Sequence, residues 1–139
     1  IYLSVDVFGE CSSEYVTAYG QYWPAISNIV DAISSMPYTD HFGRSVDTWT
    51  NAYQTVNNWA KGASARQKEI PTPAVARTWI TAYDTPYWNP KVIYNAGKIE
   101  DQVRALYDAG LDGGFITWNS ASSLAKYEQI KSAFAKNYG

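Results

Sequence analysis

Four short apolar runs alternate along the chain with longer stretches whose apolar positions recur every three or four residues. The runs cover residues 2–9, 32–38, 75–81 and 114–119, and each passes into a polar or aromatic end. Short apolar runs of this kind read as buried strands, and the intervening period reads as helix. The strand starts, Tyr2, Ala32, Val75 and Gly114, lie 30, 43 and 39 positions apart. That spacing suits βα units of about 30 residues or more. A complete (β/α)8 barrel has eight such units in about 250 residues. The pattern therefore predicts an α/β chain amounting to half of a (β/α)8 TIM barrel, with four parallel strands each followed by a helix.

The helical stretches are of unequal strength. Residues 22–30 read as a short helix with Pro24 near its start, where a missing N–H costs little. From Ser45, the residues Val46, Trp49, Tyr53, Val56 and Trp59 fall at i+3 or i+4 intervals, and Gly62 is expected to end or bend that helix. Pro71 and Pro73 resist helix and mark the approach to the third strand. A further helix carries Ile99, Val103 and Leu106 on one face and stops at Gly110, where a left-handed cap is favoured. Leu124, Tyr127, Ile130 and Phe134 repeat at helical spacing near the end. With no linker and no low-complexity tract, residues 1–139 read as a single unit.

Charge and composition exclude several classes. A net charge of -2 in 139 residues leaves no basic stripe for phosphates, so nucleic acid is not an expected partner. No apolar run approaches the ~18 residues of a membrane span. Gly110 and Gly113-Gly114 precede a strand rather than joining strand to helix, the wrong order for a phosphate loop. The single Cys11 has neither a second Cys nor a His nearby in sequence, so no internal disulfide and no metal site are expected. The chain opens at Ile1 inside a strand pattern, with no Met and no leader. The expectation is that something upstream was removed or lies on another chain.

Aromatic residues make up 16% of the chain, with 6 Trp and 12 Tyr against 4 Phe. Such rings fill cores, and they also stack on the C–H faces of sugars while their polar edges hydrogen-bond. Parallel strands crossed over by helices gather function at their C-terminal ends. Asp6, Glu10, Asp40 and Asp84 are the carboxylates placed there, and glycoside hydrolysis normally uses two. Asp6 stands out because its neighbours Val5, Val7 and Phe8 are apolar, so partial desolvation is expected, with a site role and a structural pairing both open. His41, the only histidine, follows the second strand and is expected either to act on a sugar hydroxyl or proton or to fix its loop. Asp40 beside it reads more readily as a turn residue. Trp79 and Trp118 are candidate sugar platforms, and the Asn119 amide a candidate hydroxyl reader. Arg77 is expected to pair with a buried carboxylate.

At these strand ends the sequence resembles a bacterial glycoside hydrolase family with a TIM-barrel fold, in its C-terminal half, strands five to eight. Ser4-Val5-Asp6-Val7-Phe8-Gly9 resembles the strand-five motif, and Ser35-Met36-Pro37-Tyr38-Thr39-Asp40-His41-Phe42 the strand-six motif. Arg77-Thr78-Trp79-Ile80 and Gly114-Phe115-Ile116-Thr117-Trp118-Asn119 resemble those of strands seven and eight. Thr78 departs from the usual Pro, Thr81 from the usual Gln, and the acidic strand-four motif has no counterpart. The resemblance implies a C-terminal part of a glycoside hydrolase acting on a poly- or oligosaccharide, inactive in isolation and needing no cofactor. It implies catalytic roles for Asp6 and His41, substrate contacts by Tyr38, Trp79, Asp84, Trp118 and Asn119, and an extracellular or cell-surface location. The expected partners are a carbohydrate and either the missing N-terminal half-barrel or a second copy in a homodimer. The alternative is a non-catalytic carbohydrate-binding or assembly module of α/β fold.

Overall fold

Residues 1–139 other than Arg44, Tyr87 and Asn89 are described by a computed structural model. Part of the 39–44 loop and of the 83–90 aromatic loop therefore lies outside the described residues. The strands are β1 (Ser4–Phe8), β2 (Ala32–Met36), β3 (Val75–Ala76), β4 (Thr78–Thr81) and β5 (Phe115–Trp118). The helices are α1 (Trp23–Ser27), α2 (Val46–Thr50), α3 (Ala52–Lys68), α4 (Ala96–Asp108) and α5 (Leu124–Ile130). Every strand pairing is parallel, in the orders β1-β2-β3 and β4-β5.

The four expected strands are thus five, in two sheets, because the third is divided at Arg77. Its pairing changes partner there: Val75 and Ala76 align with Ala32 and Ile33 of β2, whereas Thr78–Thr81 align with β5. The Arg77 amide still donates to the Ile33 carbonyl at 3.0 Å, so Arg77 is the last residue tied to β2. Nor does each strand carry its own helix, since β3 runs straight into β4. The Arg77 side chain is exposed and its Nε lies 3.5 Å from the Gly113 carbonyl, so the expected pairing with a buried carboxylate does not form.

Strand alternation puts successive side chains on opposite faces. Val5 and Val7 of β1 align with Ile33 and Ser35, and Ala76 aligns with Ile33. This face meets the helices, in a core of Val7, Ile33, Ala76 and Ile80 with Val56, Ala60 and Ala63 of α3 and Ile99, Val103 and Leu106 of α4. The predicted apolar face of α4 is fully buried. Its predicted cap is also present: Gly110 has φ +84°, with Gly110 N–H donating to Tyr107 and Leu111 N–H to Leu106. This is the Schellman arrangement, in which a left-handed residue lets two orphan carbonyls find donors.

Two helix expectations change. The long helix is broken at Asn51 (φ −94°, ψ 58°), so Trp49 is buried in a small cluster with Tyr94 while Val46 stays exposed. Gly62 does not end α3, which continues to Lys68 along the buried stripe Ala52, Val56, Trp59, Ala60 and Ala63. In the last helix only Ile130 is buried. Leu124 and Tyr127 are exposed, and Tyr127 stacks on Phe134 at 6.1 Å between centroids.

Cys11 is fully buried and unpaired with another cysteine, and burial pushes its thiol up to about 11. Because the thiolate is the reactive form, native protein is expected to resist a thiol-reactive reagent at pH 8 and to react fully in urea. Rapid labelling without denaturant would contradict the burial.

Candidate functional site

The sheet face opposite the helices is open. It carries Asp6 and Phe8 of β1, aligned with Ser34 and Met36 of β2, and Trp79 of β4, aligned with Ile116 of β5. Asp6 is exposed, contrary to the desolvation its apolar neighbours led one to expect. The reason is alternation: Val5 and Val7 turn into the core, and the residue between them must face the other way.

On that face the Trp79 indole Nε1 donates to Asp6 Oδ1 at 2.9 Å across 73 residues of sequence. Trp79 in turn meets Trp118 edge to face, with centroids 6.1 Å apart. Asp6, Trp79 and Trp118 are therefore linked on one surface, and Trp118 remains 44% exposed. An indole N–H fixed on a carboxylate holds both groups in one orientation, and bonds to ionised acceptors are the stronger kind. Among the described residues only Oδ1 of Asp6 is engaged, which leaves the second carboxylate oxygen for a ligand hydroxyl.

A second group gathers after β2. Tyr38 is buried and meets His41 edge-on at 5.4 Å and Tyr83 at 6.2 Å. The Tyr83 hydroxyl donates to Asp40 Oδ1 at 2.9 Å, and His41 Nε2 lies 3.8 Å from the same oxygen. Asp40 thus does the work of a loop-fixing acid. Burial, then the negative charges of Asp6 and Asp40, push Tyr38 up to about 12. It consequently keeps its hydrogen over the whole physiological range and stands as a hydrogen-bond donor near both carboxylates.

Beneath these groups lies a buried polar chain that sequence patterning did not single out. Thr39 N–H donates to Thr81 Oγ1 at 3.0 Å, joining the end of β2 to the end of β4. The Gln102 side chain closes both backbone groups of Thr81, accepting from its N–H at 3.0 Å and donating to its carbonyl at 2.8 Å. Tyr94 donates to the Trp49 carbonyl at 2.9 Å and sits 3.0 Å from the Thr39 hydroxyl. Its burial pushes its own hydroxyl well above the ordinary tyrosine range. Buried polar groups are costly unless paired, and here each pairing ties one strand end to a neighbour. Gln102 sits at the same helical spacing as the α4 apolar stripe, and its polarity among Ile99, Val103 and Leu106 was the available signal.

The remaining candidates face elsewhere or are occupied. Asp84 accepts from Tyr94 N–H at 2.9 Å and pairs with Lys126 Nζ at 2.6 Å, anchoring α5. The Asn119 amide bonds the Ser123 carbonyl at 2.9 Å and so fixes the turn into α5. Both border a shallow cleft of about 270 Å³ with Tyr83, Lys91 and Lys126. A larger cavity of about 610 Å³ opens at the C-terminal ends of β1 and β2, lined by Phe8, Gly9, Glu10, Tyr19, His41 and Phe42. His41, half-exposed, belongs to this cavity. No cluster of three or more His, Cys, Asp or Glu fit to hold a metal exists among the described residues. Among them too, no helix is long and apolar enough to cross a membrane.

A family model described as a putative glycosyl hydrolase domain matches residues 1–124. The chain belongs to that family. No curated protein and no solved structure matches it. The matched part of this glycosyl hydrolase domain includes every strand and stops at the first residue of α5. It therefore holds the whole open face, both clusters of aromatic and acidic side chains and the buried chain through Thr81. Thr81 departs from the residue its motif led one to expect, yet it is buried and bonded on all sides. In this domain the position serves to join strand ends.

Proposed function

We propose that this domain is the C-terminal half of a (β/α)8 glycoside hydrolase that cleaves glycosidic bonds in an oligo- or polysaccharide. The observation that carries the reading is the Asp6–Trp79–Trp118 constellation, a carboxylate oriented by one indole beside a second exposed indole on an open sheet face. In a closed barrel that face would be the interior and its C-terminal end the mouth. Phe8, Val75 and Trp118 leave apolar surface on it, 49%, 48% and 44% exposed. An uncovered face and free edge strands are liabilities for a parallel sheet. The proposed occupant is the other half of the barrel, supplied by a preceding segment or by a second copy.

In this reading Trp118 floors a sugar ring, Trp79 holds Asp6 in place, Tyr38 donates a hydrogen bond to the substrate and His41 carries a proton at the rim. Cleavage would proceed by acid–base chemistry on an oxocarbenium-like transition state, with no organic cofactor. Where a preceding segment completes the barrel, the partner acid would come from it, because the family's acidic strand-four motif has no counterpart here. Secretion or surface display would fit a polysaccharide substrate.

The test is hydrolysis of a panel of oligosaccharides by the 139-residue chain and by a longer chain including the residues that precede Ile1. Turnover is expected from the longer chain and at most traces from the shorter one. In the longer chain Trp118→Ala should raise KM about tenfold or more, since a central Trp contact contributes about 2 kcal/mol. Equal turnover by the two chains would overturn the half-barrel reading. Sugar binding by both without turnover by either would favour the non-catalytic carbohydrate-binding module, which the exposed indoles also support.

A further inference from the structure

The cavity at the ends of β1 and β2 has a chemistry of its own. Phe8 and Tyr19 meet edge to face there with centroids 5.2 Å apart, and Phe42 adds a third ring. Between them stands Glu10, whose Oε2 accepts from the Tyr19 hydroxyl at 2.7 Å. No Lys or Arg forms an ion pair with Glu10 among the described residues. Its position is built rather than incidental. The Trp59 indole donates to the Gly9 carbonyl at 2.9 Å, and Gln21 Oε1 accepts from Phe8 N–H at 2.9 Å. Gly9 also packs so closely on Pro37 that an added Cβ would stand 3.2 Å from its Cα.

Aromatic faces carry negative quadrupole charge and attract cations, and a carboxylate beside them adds a full charge of the same sign. Among the described residues this lining offers an anionic ligand no Lys or Arg, only the His41 imidazole. A neutral sugar would stack on the rings but would not draw on the unpaired charge. The volume, about 610 Å³, lies within the range of about 300–1,000 Å³ usual for small-ligand sites.

We infer that this cavity is a subsite for an amino-sugar unit carrying a free ammonium group, with Glu10 as counter-ion and Phe8, Tyr19 and Phe42 as enclosing rings. The inference rests on the carbohydrate reading above and adds the class of sugar. Phe8 lies two residues beyond Asp6 on the same strand face, so the subsite adjoins the open face rather than forming a separate centre.

The experiment is calorimetric titration of the 139-residue chain with three trisaccharides: β-1,4-glucosamine, its N-acetylated form and the β-1,4-glucose analogue. The pH is kept low enough for the amines to stay protonated. The glucosamine form is expected to bind about tenfold tighter than the other two, the sum of a modest cation–π and a modest ion-pair contribution. Glu10→Gln should abolish that preference while leaving the N-acetylated form bound as before. Glu10→Asp, which keeps the charge, should retain most of the preference, and Phe42→Leu should weaken all three. Urea midpoints of the variants confirm that they fold. If neutral sugars bind but the amine is not preferred, or if Glu10→Gln keeps the preference, the inference is overturned and the carbohydrate reading stands. If none of the three binds, the inference is likewise overturned, and the turnover comparison above decides the carbohydrate reading on its own.

Discussion

Trp23→Ala is expected to lower the unfolding free energy by about 3–5 kcal/mol, the usual range for deleting a buried Trp or Phe side chain. A domain at the lower end of the usual range of about 5–15 kcal/mol would then be close to unfolded. Trp23 is completely buried and meets Trp59 edge to face at 6.3 Å. Its indole Nε1 donates to Gln67 Oε1 at 2.9 Å, an oxygen that also accepts from Ser27 Oγ at 2.7 Å. Gln67 Nε2 donates in turn to the Ala74 carbonyl at 2.8 Å, where the chain enters β3. The substitution therefore opens a large cavity and takes one donor from the side chain that joins α1, α3 and the approach to the third strand. Trp23→Phe separates the two effects. It keeps most of the ring and should cost about 1–2 kcal/mol for the lost hydrogen bond. Urea unfolding read by fluorescence and circular dichroism measures both. A Trp23→Ala protein within 1 kcal/mol of the parent would contradict the packing described.

Gly113→Ala is the second large effect, and it acts through backbone geometry. A Cβ at Gly113 would stand 2.4 Å from the Ala76 carbonyl oxygen and 2.7 Å from Val75 Cγ1. The Ala76 oxygen cannot simply swing aside, because Ala76 is fixed in β3 by its pairing with Ile33. The segment before β5 must therefore retreat from β3, at the junction where the two sheets meet. Overpacking of this kind costs about 1–3 kcal/mol and sometimes more. It should also loosen the alignment of Trp118 with Thr81 and of Ile116 with Trp79, on which the contact between the two indoles depends. Gly62→Ala supplies the contrast. Gly62 lies inside α3 with nothing within 4 Å of an added Cβ. There the same substitution should stabilise by about 0.5–1 kcal/mol, from helix propensity alone. Thermal melts of the two variants should move in opposite directions, and a neutral Gly113→Ala would show that the sheet junction is not tightly packed.

Local signals carried the parts of the fold that depend on neighbours in sequence. The Ile99, Val103 and Leu106 stripe and the Gly110 cap follow from 3.6-residue periodicity and from the freedom of glycine at positive φ, and both stand in the structure. The break at Asn51 was not legible, because a residue with an ordinary side chain gives no sign that the chain turns there. The division of the third strand at Arg77 was invisible for a related reason. Residues 75–81 read as one strand, and only the choice of hydrogen-bonding neighbour separates β3 from β4.

The candidate site divides in the same way. Asp6, Trp79 and Trp118 were selected because each falls at or near a strand end, and the hydrogen bond and ring contact that unite them span distant segments. Asp84 and Asn119 were chosen by the same rule, yet their polar atoms hold α5 and its entry turn. Tyr19 lies in a loop and Phe42 in a single 3-10 turn, Thr39–Phe42, both too short for periodicity to say anything, yet both line the larger cavity. Glu10 was visible as a strand-end carboxylate, but its tyrosine partner nine residues on was not.

By itself the sequence determined the order of strands and helices, the faces that seek a core and the motifs that mark the glycosyl hydrolase family. Those properties are set by burial and backbone preference within a few turns of chain, and such forces leave a periodic trace. Only the tertiary structure decided which face of the sheet stays open, that Asp6 stands on it exposed, and which acids meet an aromatic partner and which meet a lysine. Contacts between residues tens of positions apart depend on strand register and helix docking, and no local pattern records them.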